Sequence, residues 1–274
     1  MKKIFAPLFN LRASLECGQV FGWRKQGDGY AGVLNARKVF VRQRGSWLEF
    51  EGVSAKKLVH YFSLSPEDSL ERVYSEILVD DYVRQAVNEF KGLRILRQEP
   101  WECIVSFLCS QNSNIPRIEK MLYGMRKSFG APLEDGFYSF PTPAQLCKAT
   151  EKQLKQIGLG YRAKYVKEFA EHVARRPAYL KKLEKLSYEK AREQLMKHSG
   201  IGPKVADCAC LYCLKKLEAF PIDAWIKKVL EKKYGRKGGY AALSAFARKR
   251  FGRFAGYAQQ YLYAFARANP HSLT

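Results

Sequence analysis

A glycine hairpin in front of an apolar stretch restricts the fold of this chain more than any other feature. Gly200, Gly202 and Pro203 stand together in the sequence. Glycine permits a tight turn through positive φ, and proline suits the first turn of a helix. Because residues 188–198 also favour a helix, the sequence predicts a helix, a hairpin and a second helix over about residues 188–214. A plain turn between two helices is the simpler alternative when the hairpin is considered alone.

Lys204 and Asp223 are the two side chains near this hairpin that indicate chemistry. Lys204 falls in the first turn of the second predicted helix, where the positive end of the helix dipole favours the neutral, nucleophilic amine. Asp223 has the position of an N-cap at the start of the next helix, and its carboxylate can steer protons or stabilise a cationic sugar. A solvated surface lysine and a purely structural cap are the alternatives. Together the two residues predict a lysine nucleophile and an acid that face one cleft.

The charge of the chain indicates an acidic polymer as its partner. Its 274 residues include 48 Lys plus Arg and 26 Asp plus Glu, which gives a formal net charge of +22. Free N–H groups at the start of the helix after Gly200 and Gly202 are suited to a phosphate. No stretch reaches the ~18 consecutive apolar residues of a membrane helix. We therefore expect a monomeric, cytoplasmic (nucleoid-associated) protein that binds nucleic acid and makes no membrane contact.

The seven cysteines and four histidines do not form a metal-binding pattern. Cys208, Cys210 and Cys213 are close in sequence, but Cys208 and Cys210 point to different faces of one helix. An odd number of cysteines is also unlike a disulfide framework. Buried core thiols and structural or solvated histidines are therefore expected, with no metal site.

The first part of the chain alternates between polar and apolar residues and is predicted to form an antiparallel sheet. A helical run is predicted from residues 65–68 to about Phe90, and from Pro100 onward most of the sequence favours helix. The predicted fold class is therefore α+β: an N-terminal antiparallel β-sheet domain with flanking helices over residues 1–97, then a mostly α-helical core over residues 98–274. The predicted strands are 20–24, 30–34, 37–42, 47–51 and, as a further candidate, 58–64, with turns at 26–29, 35–36 and 44–45.

Five stretches in chain order carry a family resemblance. They are Ser14-Leu-Glu-Cys-Gly-Gln-Val-Phe-Gly-Trp-Arg24, Glu102-Cys-Ile-Val-Ser-Phe-Leu-Cys-Ser-Gln-Asn-Ser-Asn-Ile-Pro-Arg-Ile118, Gly158-Leu-Gly-Tyr-Arg-Ala-Lys-Tyr165, the block from Lys204 to Asp223, and Gly256-Tyr-Ala-Gln-Gln-Tyr-Leu-Tyr263. Over nearly its full length the chain resembles the 8-oxoguanine DNA glycosylase/lyase family of the helix-hairpin-helix DNA glycosylase superfamily. Trp225, where eukaryotic members commonly have histidine, is more similar to bacterial or archaeal members.

The resemblance implies a bifunctional repair enzyme that acts on double-stranded DNA containing 8-oxoguanine, preferably opposite cytosine. Lys204 is the implied nucleophile, which attacks C1′ of the flipped nucleotide, displaces the base and forms a Schiff base. β-Elimination from that Schiff base then nicks the strand. Asp223 is the implied stabiliser of the oxocarbenium-like charge. No metal or organic cofactor is implied.

The resemblance also implies a pocket for the flipped base. The main-chain carbonyl of Gly18 would accept the N7 hydrogen that distinguishes 8-oxoguanine, and Gln259 would bond the Watson–Crick edge. Cys208 and Tyr263 would stack on the two faces of the base, with tyrosine in place of the phenylalanine expected in the eukaryotic branch. A strand bulge at Gly18, an exposed polar Gln259 and ordinary core positions for the other two are the alternatives.

Four further residues correspond to the family's positions for the base left without a partner. Asn112, Arg117 and Arg162 would hydrogen-bond or contact this estranged cytosine, and Tyr161 would wedge beside it. Asn112 and Asn114 are alternatively turn or cap residues, and both roles are compatible.

Two other functions remain possible from the residues alone. A glycosylase of the same fold would remove alkylated bases with water activated by Asp223, leaving Lys204 as a phosphate contact. A non-catalytic helix-hairpin-helix module would need the hairpin and the basic charge, but it would have no use for Asp223, Gly18 and Gln259. A covalent imine between Lys204 and DNA separates the predicted function from both.

Overall fold

The N-terminal region of the computed structural model, which describes residues 1–273, is a five-stranded antiparallel sheet. The strand order is β1-β5-β4-β3-β2, and each neighbouring pair is antiparallel. Asn35 and Ala36 connect β3 to β4 with φ of 52° and 56°, the left-handed pair that a tight two-residue hairpin requires. The strands are β1 (Lys2–Phe5), β2 (Arg24–Gln26), β3 (Gly29–Leu34), β4 (Arg37–Arg44) and β5 (Trp47–Glu51).

The predicted α+β class is confirmed, but three details of the sheet prediction were wrong. Strand β1 was missed, because a four-residue edge strand has too short an alternation to be recognised. Residues 20–24 were predicted as a strand, yet only Arg24 belongs to one. The chain before Arg24 turns at Gly18, where φ is +80°. The Trp23 side chain is held by a hydrogen bond from its Nε1 to the Tyr61 hydroxyl at 2.9 Å.

The third error concerns residues 58–64, which were a candidate strand and belong largely to a helix. Ser54 caps α2 (Ala55–Tyr61) by accepting from Lys57 N at 3.4 Å. Leu58 and Phe62 are both fully buried and four residues apart, the spacing of one helix face. A short apolar run fits either element, and here the cap decides between them.

Helices make up most of the remaining chain. The single helical run predicted to Phe90 is interrupted, because Asp80 caps a new helix by accepting from Val83 N at 3.0 Å. The helices are α1 (Leu11–Glu16), α2, α3 (Leu70–Ile77), α4 (Asp81–Glu89), α5 (Pro100–Cys109), α6 (Ile115–Phe129), α7 (Pro143–Lys148), α8 (Glu151–Gln156), α9 (Arg162–Arg175), α10 (Tyr179–Glu184), α11 (Tyr188–Met196), α12 (Pro203–Tyr212), α13 (Ala224–Tyr234), α14 (Tyr240–Phe251) and α15 (Ala255–Ala268).

Two hydrophobic clusters hold these elements together. The smaller lies between the sheet and helices α1 and α2, with Phe50, Phe62 and Leu48 fully buried. The larger joins the helices, and it includes residues of α3 and α4 because these two helices pack on α15. The division into domains at residue 97 stays a prediction. No helix within residues 1–273 is long and apolar enough to cross a membrane.

The predicted helix, hairpin and helix are confirmed as α11, the residues after it and α12. Gly200 has φ of +78°, and a Cβ there would lie 2.4 Å from the Tyr165 ring, so only glycine fits. Gly202 differs from the expectation of a left-handed turn: its φ of −83° and ψ of −179° are extended, and it is the N-cap of α12. Pro203 follows at the first position of that helix.

Candidate active site

Lys204 lies in the first turn of α12, and its amine reaches across to the end of α5. The half-buried Nζ donates to Ser110 Oγ at 3.1 Å and lies 5.4 Å from the centroid of the Phe107 ring. Ser110 is the C-cap of α5, so the contact ties the two packed helices together at the amine. Ser110 and Phe107 were not singled out from the sequence, although both lie within the 102–118 stretch.

Asp223 caps α13, as its position in the sequence predicts. Its carboxylate accepts from Ile226 N at 2.9 Å, which leaves further lone pairs for a ligand. Burial raises the pKa of Asp223 above the ordinary aspartate range, and the nearby charge of Lys204 opposes part of that shift. The two predicted catalytic side chains are therefore brought within electrostatic reach of each other.

A buried carboxylate, that of Asp207, lies on α12 about one turn after Lys204 and holds this helix in place. Asp207 is fully buried and accepts from the Tyr188 hydroxyl at 2.8 Å, from Arg192 Nε at 2.8 Å and from the Tyr240 hydroxyl at 2.6 Å. Burial raises its pKa, and these three hydrogen bonds oppose the shift. The network joins α11, α12 and α14, so it fixes the helix that carries Lys204.

The same network reaches the chain beside the second predicted catalytic residue, Asp223. The Tyr240 hydroxyl accepts a hydrogen bond from the backbone N–H of Ile222 at 3.3 Å, directly before Asp223. Asp207 was missed from the sequence. An aspartate inside an apolar helix was the available signal, because such a residue must find partners when it is buried.

The structure brings close together the four residues expected to hold a base, which are Gly18, Gln259, Cys208 and Tyr263. A Cβ on Gly18 would lie 3.3 Å from Tyr263 Cε1, which places the Gly18 backbone against that ring. Gln259, one helical turn before Tyr263 on α15, is 4% exposed and accepts from the Tyr212 hydroxyl at 3.4 Å. Burial raises the pKa of the Cys208 thiol to about 12, so the side chain is neutral and suited to apolar stacking.

The Gly18 loop is fixed by hydrogen bonds from buried glutamines. Gln260 Nε2 donates to the Cys17 carbonyl at 3.0 Å, and its Oε1 accepts from the Tyr212 hydroxyl at 2.5 Å. Gln19 donates to the Arg94 carbonyl at 2.8 Å. Both glutamines are fully buried, so the residues on either side of Gly18 are firmly held. Gln260 was not singled out from the sequence, although it follows the expected Gln259 directly.

The loop between α5 and α6 is the most exposed part of the predicted site. Asn112 has φ of +45°, and its Nδ2 donates to the Tyr161 hydroxyl at 3.2 Å. The Tyr161 side chain is 48% exposed. Asn114 caps α6 by accepting from Arg117 N at 3.0 Å, which leaves the exposed Arg117 side chain beside the loop. The structure therefore brings Asn112, Tyr161 and Arg117 to one surface, and both roles foreseen for the asparagines are compatible with it.

Arg162 differs from these exposed residues, because its side chain is turned inward. The residue is 2% exposed, and its guanidinium donates to the carbonyls of Gln111, Asn112 and Leu159. In this conformation it braces the backbone of the loop and does not present its donors to solvent. A contact between Arg162 and an unpaired base stays a prediction.

Two family models match consecutive parts of the chain. Residues 4–104 match the 8-oxoguanine DNA glycosylase N-terminal domain, and residues 105–251 match the HhH-GPD superfamily of base excision DNA repair proteins. The chain is 38% identical over 192 residues to an N-glycosylase/DNA lyase of Saccharomyces cerevisiae, a match that covers 65% of this chain and 50% of the yeast protein. The chain belongs to the 8-oxoguanine DNA glycosylase family.

Further similarities agree with this family. The chain is 33% identical over 229 residues to N-glycosylase/DNA lyase OGG1 of Arabidopsis thaliana, covering 77% of this chain and 62% of the plant protein. It thus spans about half the length of the yeast relative and 62% of the plant relative. A Clostridium acetobutylicum 8-oxoguanine glycosylase/lyase, solved with double-stranded DNA containing cytosine opposite 8-oxoguanine, has a TM-score of 0.90 and 32% identity, covering 96% of this chain and 93% of that one.

The cysteines of this family member are core residues. Cys208 and Cys210 are buried, and Cys213 is half-buried and donates to the Ala209 carbonyl at 3.0 Å. Within residues 1–273 no group of three or more His, Cys, Asp or Glu side chains is placed to hold a metal ion.

Proposed function

We propose that this protein is a bifunctional DNA glycosylase that excises 8-oxoguanine from double-stranded DNA, preferably opposite cytosine, and then nicks the strand. The observation that carries the proposal is the Lys204 amine held at Ser110 from the first turn of α12, with Asp223 near enough for the two charges to interact and with Gly18 packed against Tyr263. Family membership and the lyase names of its relatives support it.

The first chemical step is displacement of the base by the lysine. The lone pair of Lys204 Nζ forms a bond to C1′ as the bond from C1′ to N9 breaks, and the base leaves with the electron pair and takes up a proton. Asp223, ionised beside the sugar, stabilises the positive charge that develops on it. The contact with Ser110 Oγ, an acceptor at 3.1 Å, orients the amine before attack.

The second step breaks the strand. After the secondary amine loses a proton, its nitrogen lone pair forms a double bond to C1′ as the bond from C1′ to O4′ breaks. O4′ takes up a proton, which opens the sugar and leaves an imine between Lys204 and C1′. Removal of a C2′ proton then expels the 3′ phosphate by β-elimination, and water releases the enzyme from the imine. Asp223, whose charge interacts with that of Lys204, helps to move these protons.

Substrate selection uses two different surfaces in this proposal. The buried pocket reads the flipped base: Gly18 accepts from N7, Gln259 bonds the Watson–Crick edge, and Cys208 and Tyr263 enclose the two faces. The exposed loop reads the base left behind through Asn112 and Arg117, with Tyr161 as the wedge. A contact from Arg162 to this base requires its guanidinium to leave the carbonyls of Gln111 and Asn112.

The proposal also includes a setting for the enzyme. It acts as a monomer on cytoplasmic, nucleoid-associated DNA. The formal net charge of +22 supports attraction to that polymer. Gly200 and Gly202 seat a phosphate at the start of α12, since a Cβ at Gly202 would have no atom within 4 Å and the surface there is open to a ligand.

The decisive experiment is borohydride trapping on a duplex with one 8-oxoguanine opposite cytosine. We expect a covalent protein–DNA product with the native chain, none with Lys204→Gln, and the native amount with Lys155→Gln, a matched change on α8. Base release without a trapped product would assign the chain to water-activating glycosylases. A protein that binds the duplex but neither traps nor releases a base would be a DNA-binding module.

A further inference from the structure

Arg267 continues a row of side chains along one face of α15 that begins at Gln259. Gln259, Tyr263 and Arg267 are spaced four residues apart, so their side chains follow one another along the helix. The first two face the proposed base pocket. The third lies at the more open end of the row, because Arg267 is half-buried whereas Gln259 is 4% exposed.

The guanidinium of Arg267 is held at the Gly18 loop. Its central carbon lies 5.3 Å from the centroid of the Tyr263 ring. Its Nη1 lies 3.2 Å from the position that a Cβ would take on Gly18. No carboxylate within residues 1–273 forms an ion pair with Arg267, whereas several other arginines are ion-paired with an Asp or Glu side chain. A cation is thus packed at the pocket wall without a protein counterion.

We infer that Arg267 is a specificity-determining residue that donates a hydrogen bond to O8 of the flipped 8-oxoguanine. The inference rests on the proposed function and assigns a residue to the atom that distinguishes the lesion. In 8-oxoguanine, O8 is attached to the carbon next to N7, so a base whose N7 faces the Gly18 carbonyl places O8 beside that glycine. Gln259, at the opposite end of the row and about 12 Å away along the helix axis, serves the Watson–Crick edge.

The chemistry of the two bases explains why this contact would discriminate. O8 is a carbonyl acceptor, and a hydrogen bond from a charged donor to it is strong. Guanine has only a C8–H group there, so its entry would remove water from the guanidinium without supplying an acceptor. Contact with Tyr263 restricts the guanidinium before the base arrives, which reduces the entropy lost on binding.

The test compares a duplex that contains 8-oxoguanine with a duplex that contains an abasic site. We expect Arg267→Leu to slow single-turnover release of 8-oxoguanine opposite cytosine about 10- to 100-fold, the effect of losing one hydrogen bond to a charged group. Strand cleavage at a preformed abasic site should change less than about twofold, because that reaction needs Lys204 but no base. Arg267→Lys should fall between, since it keeps the charge and loses the planar fork.

The matched control is Arg253→Leu, which removes an equal charge from a residue that is ion-paired with Glu76 outside the pocket. It should leave both activities near native. A second readout uses the Lys204→Gln background, where Arg267→Leu should lower the affinity for an 8-oxoguanine duplex about tenfold or more and leave the affinity for a guanine duplex unchanged.

Three outcomes would overturn the inference. Equal losses with 8-oxoguanine and abasic substrates would show a phosphate or structural role for Arg267. A native rate of 8-oxoguanine release in Arg267→Leu would show that the guanidinium does not contact the base. If thermal melting shows that Arg267→Leu is not folded, the folded variant Arg267→Lys is used in its place. A native rate of 8-oxoguanine release in that variant would show that the guanidinium does not contact the base. Failure of the proposed function is distinct, because the native chain itself would then not release 8-oxoguanine.

Discussion

The proposed lesion pocket and the proposed opposite-base loop are built on different physical principles. Buried hydrogen bonds hold the residues around the pocket. Gln260 donates to the Cys17 carbonyl, and Asp207 accepts from three side chains. The loop instead presents Asn112 and Tyr161 at the surface, joined to each other by one 3.2 Å hydrogen bond. Recognition of a flipped base needs a cavity that exists before the base arrives, because reorganisation would cost binding energy. The estranged base stays in the duplex, so its reader must project outward.

The comparison predicts that substitutions of residues that support the pocket lower both stability and catalytic rate. Asp207→Ala removes a buried carboxylate and leaves two tyrosine hydroxyls and Arg192 without their acceptor. We expect a loss of about 3 kcal/mol in the free energy of unfolding, measured by urea denaturation. Asp81→Ala, which removes an exposed carboxylate that pairs only with Arg84, is the control and should cost little. Equal effects of the two changes would contradict a buried, structural Asp207.

The raised pKa of Asp223 predicts an acid limit for catalysis. Below that pKa the protonated carboxyl cannot stabilise the developing sugar charge, so the single-turnover rate should fall about tenfold per pH unit. The limit should lie above the ordinary aspartate range of about 3.9 and disappear from the residual activity of Asp223→Asn. A limit that survives in Asp223→Asn would assign it to another group.

The same shift has a consequence for stability with a definite sign. Because the folded-state pKa of Asp223 lies above the unfolded value, the folded protein holds this proton more tightly. The contribution of the residue to stability is therefore greatest below the unfolded pKa and is lost as pH rises through the folded pKa. In Asp223→Asn this part of the pH dependence of unfolding should be absent.

A smaller change tests whether the Asp207 network positions the catalytic acid. Tyr240→Phe removes the hydroxyl that connects Asp207 to the Ile222 N–H and keeps the ring. We expect kcat for base release to fall about tenfold with KM nearly unchanged, since the contact supports geometry and does not touch DNA. A Tyr234→Phe control removes a hydroxyl bonded to Asp80 outside the cleft. A change confined to thermal stability would reduce Tyr240 to a packing role.

The smallest expected effects belong to the exposed loop. Tyr161→Ala should slow release of 8-oxoguanine several-fold opposite either cytosine or adenine, because a surface wedge contributes about 1–3 kcal/mol of stacking that does not depend on the base. The free energy of unfolding should stay within about 0.5 kcal/mol of native, since the ring is 48% exposed. The measurement is single-turnover release from the two duplexes beside a denaturation curve. A strong loss of stability would mean that the loop is as rigidly built as the pocket.

Local chemistry made much of the fold and several site positions predictable. The α+β class, the strands from residue 29 to residue 51 and the helix, hairpin and helix followed from alternation and from glycine and proline. Asp223 and Asn114 were recognised as caps because an N-cap needs only a suitable side chain beside the first helical turn. The family resemblance supplied the remaining site residues, whose roles the sequence alone did not fix.

Only the tertiary structure decided which side chains meet across elements. It turned Arg162 inward, buried Asp207 among three donors and placed Arg267 against Gly18. Each of these depends on contacts between residues far apart in the chain. Periodicity and capping depend on neighbours within a turn or a strand. Burial and long-range hydrogen-bond partners depend on how helices and strands that are distant in sequence pack against each other.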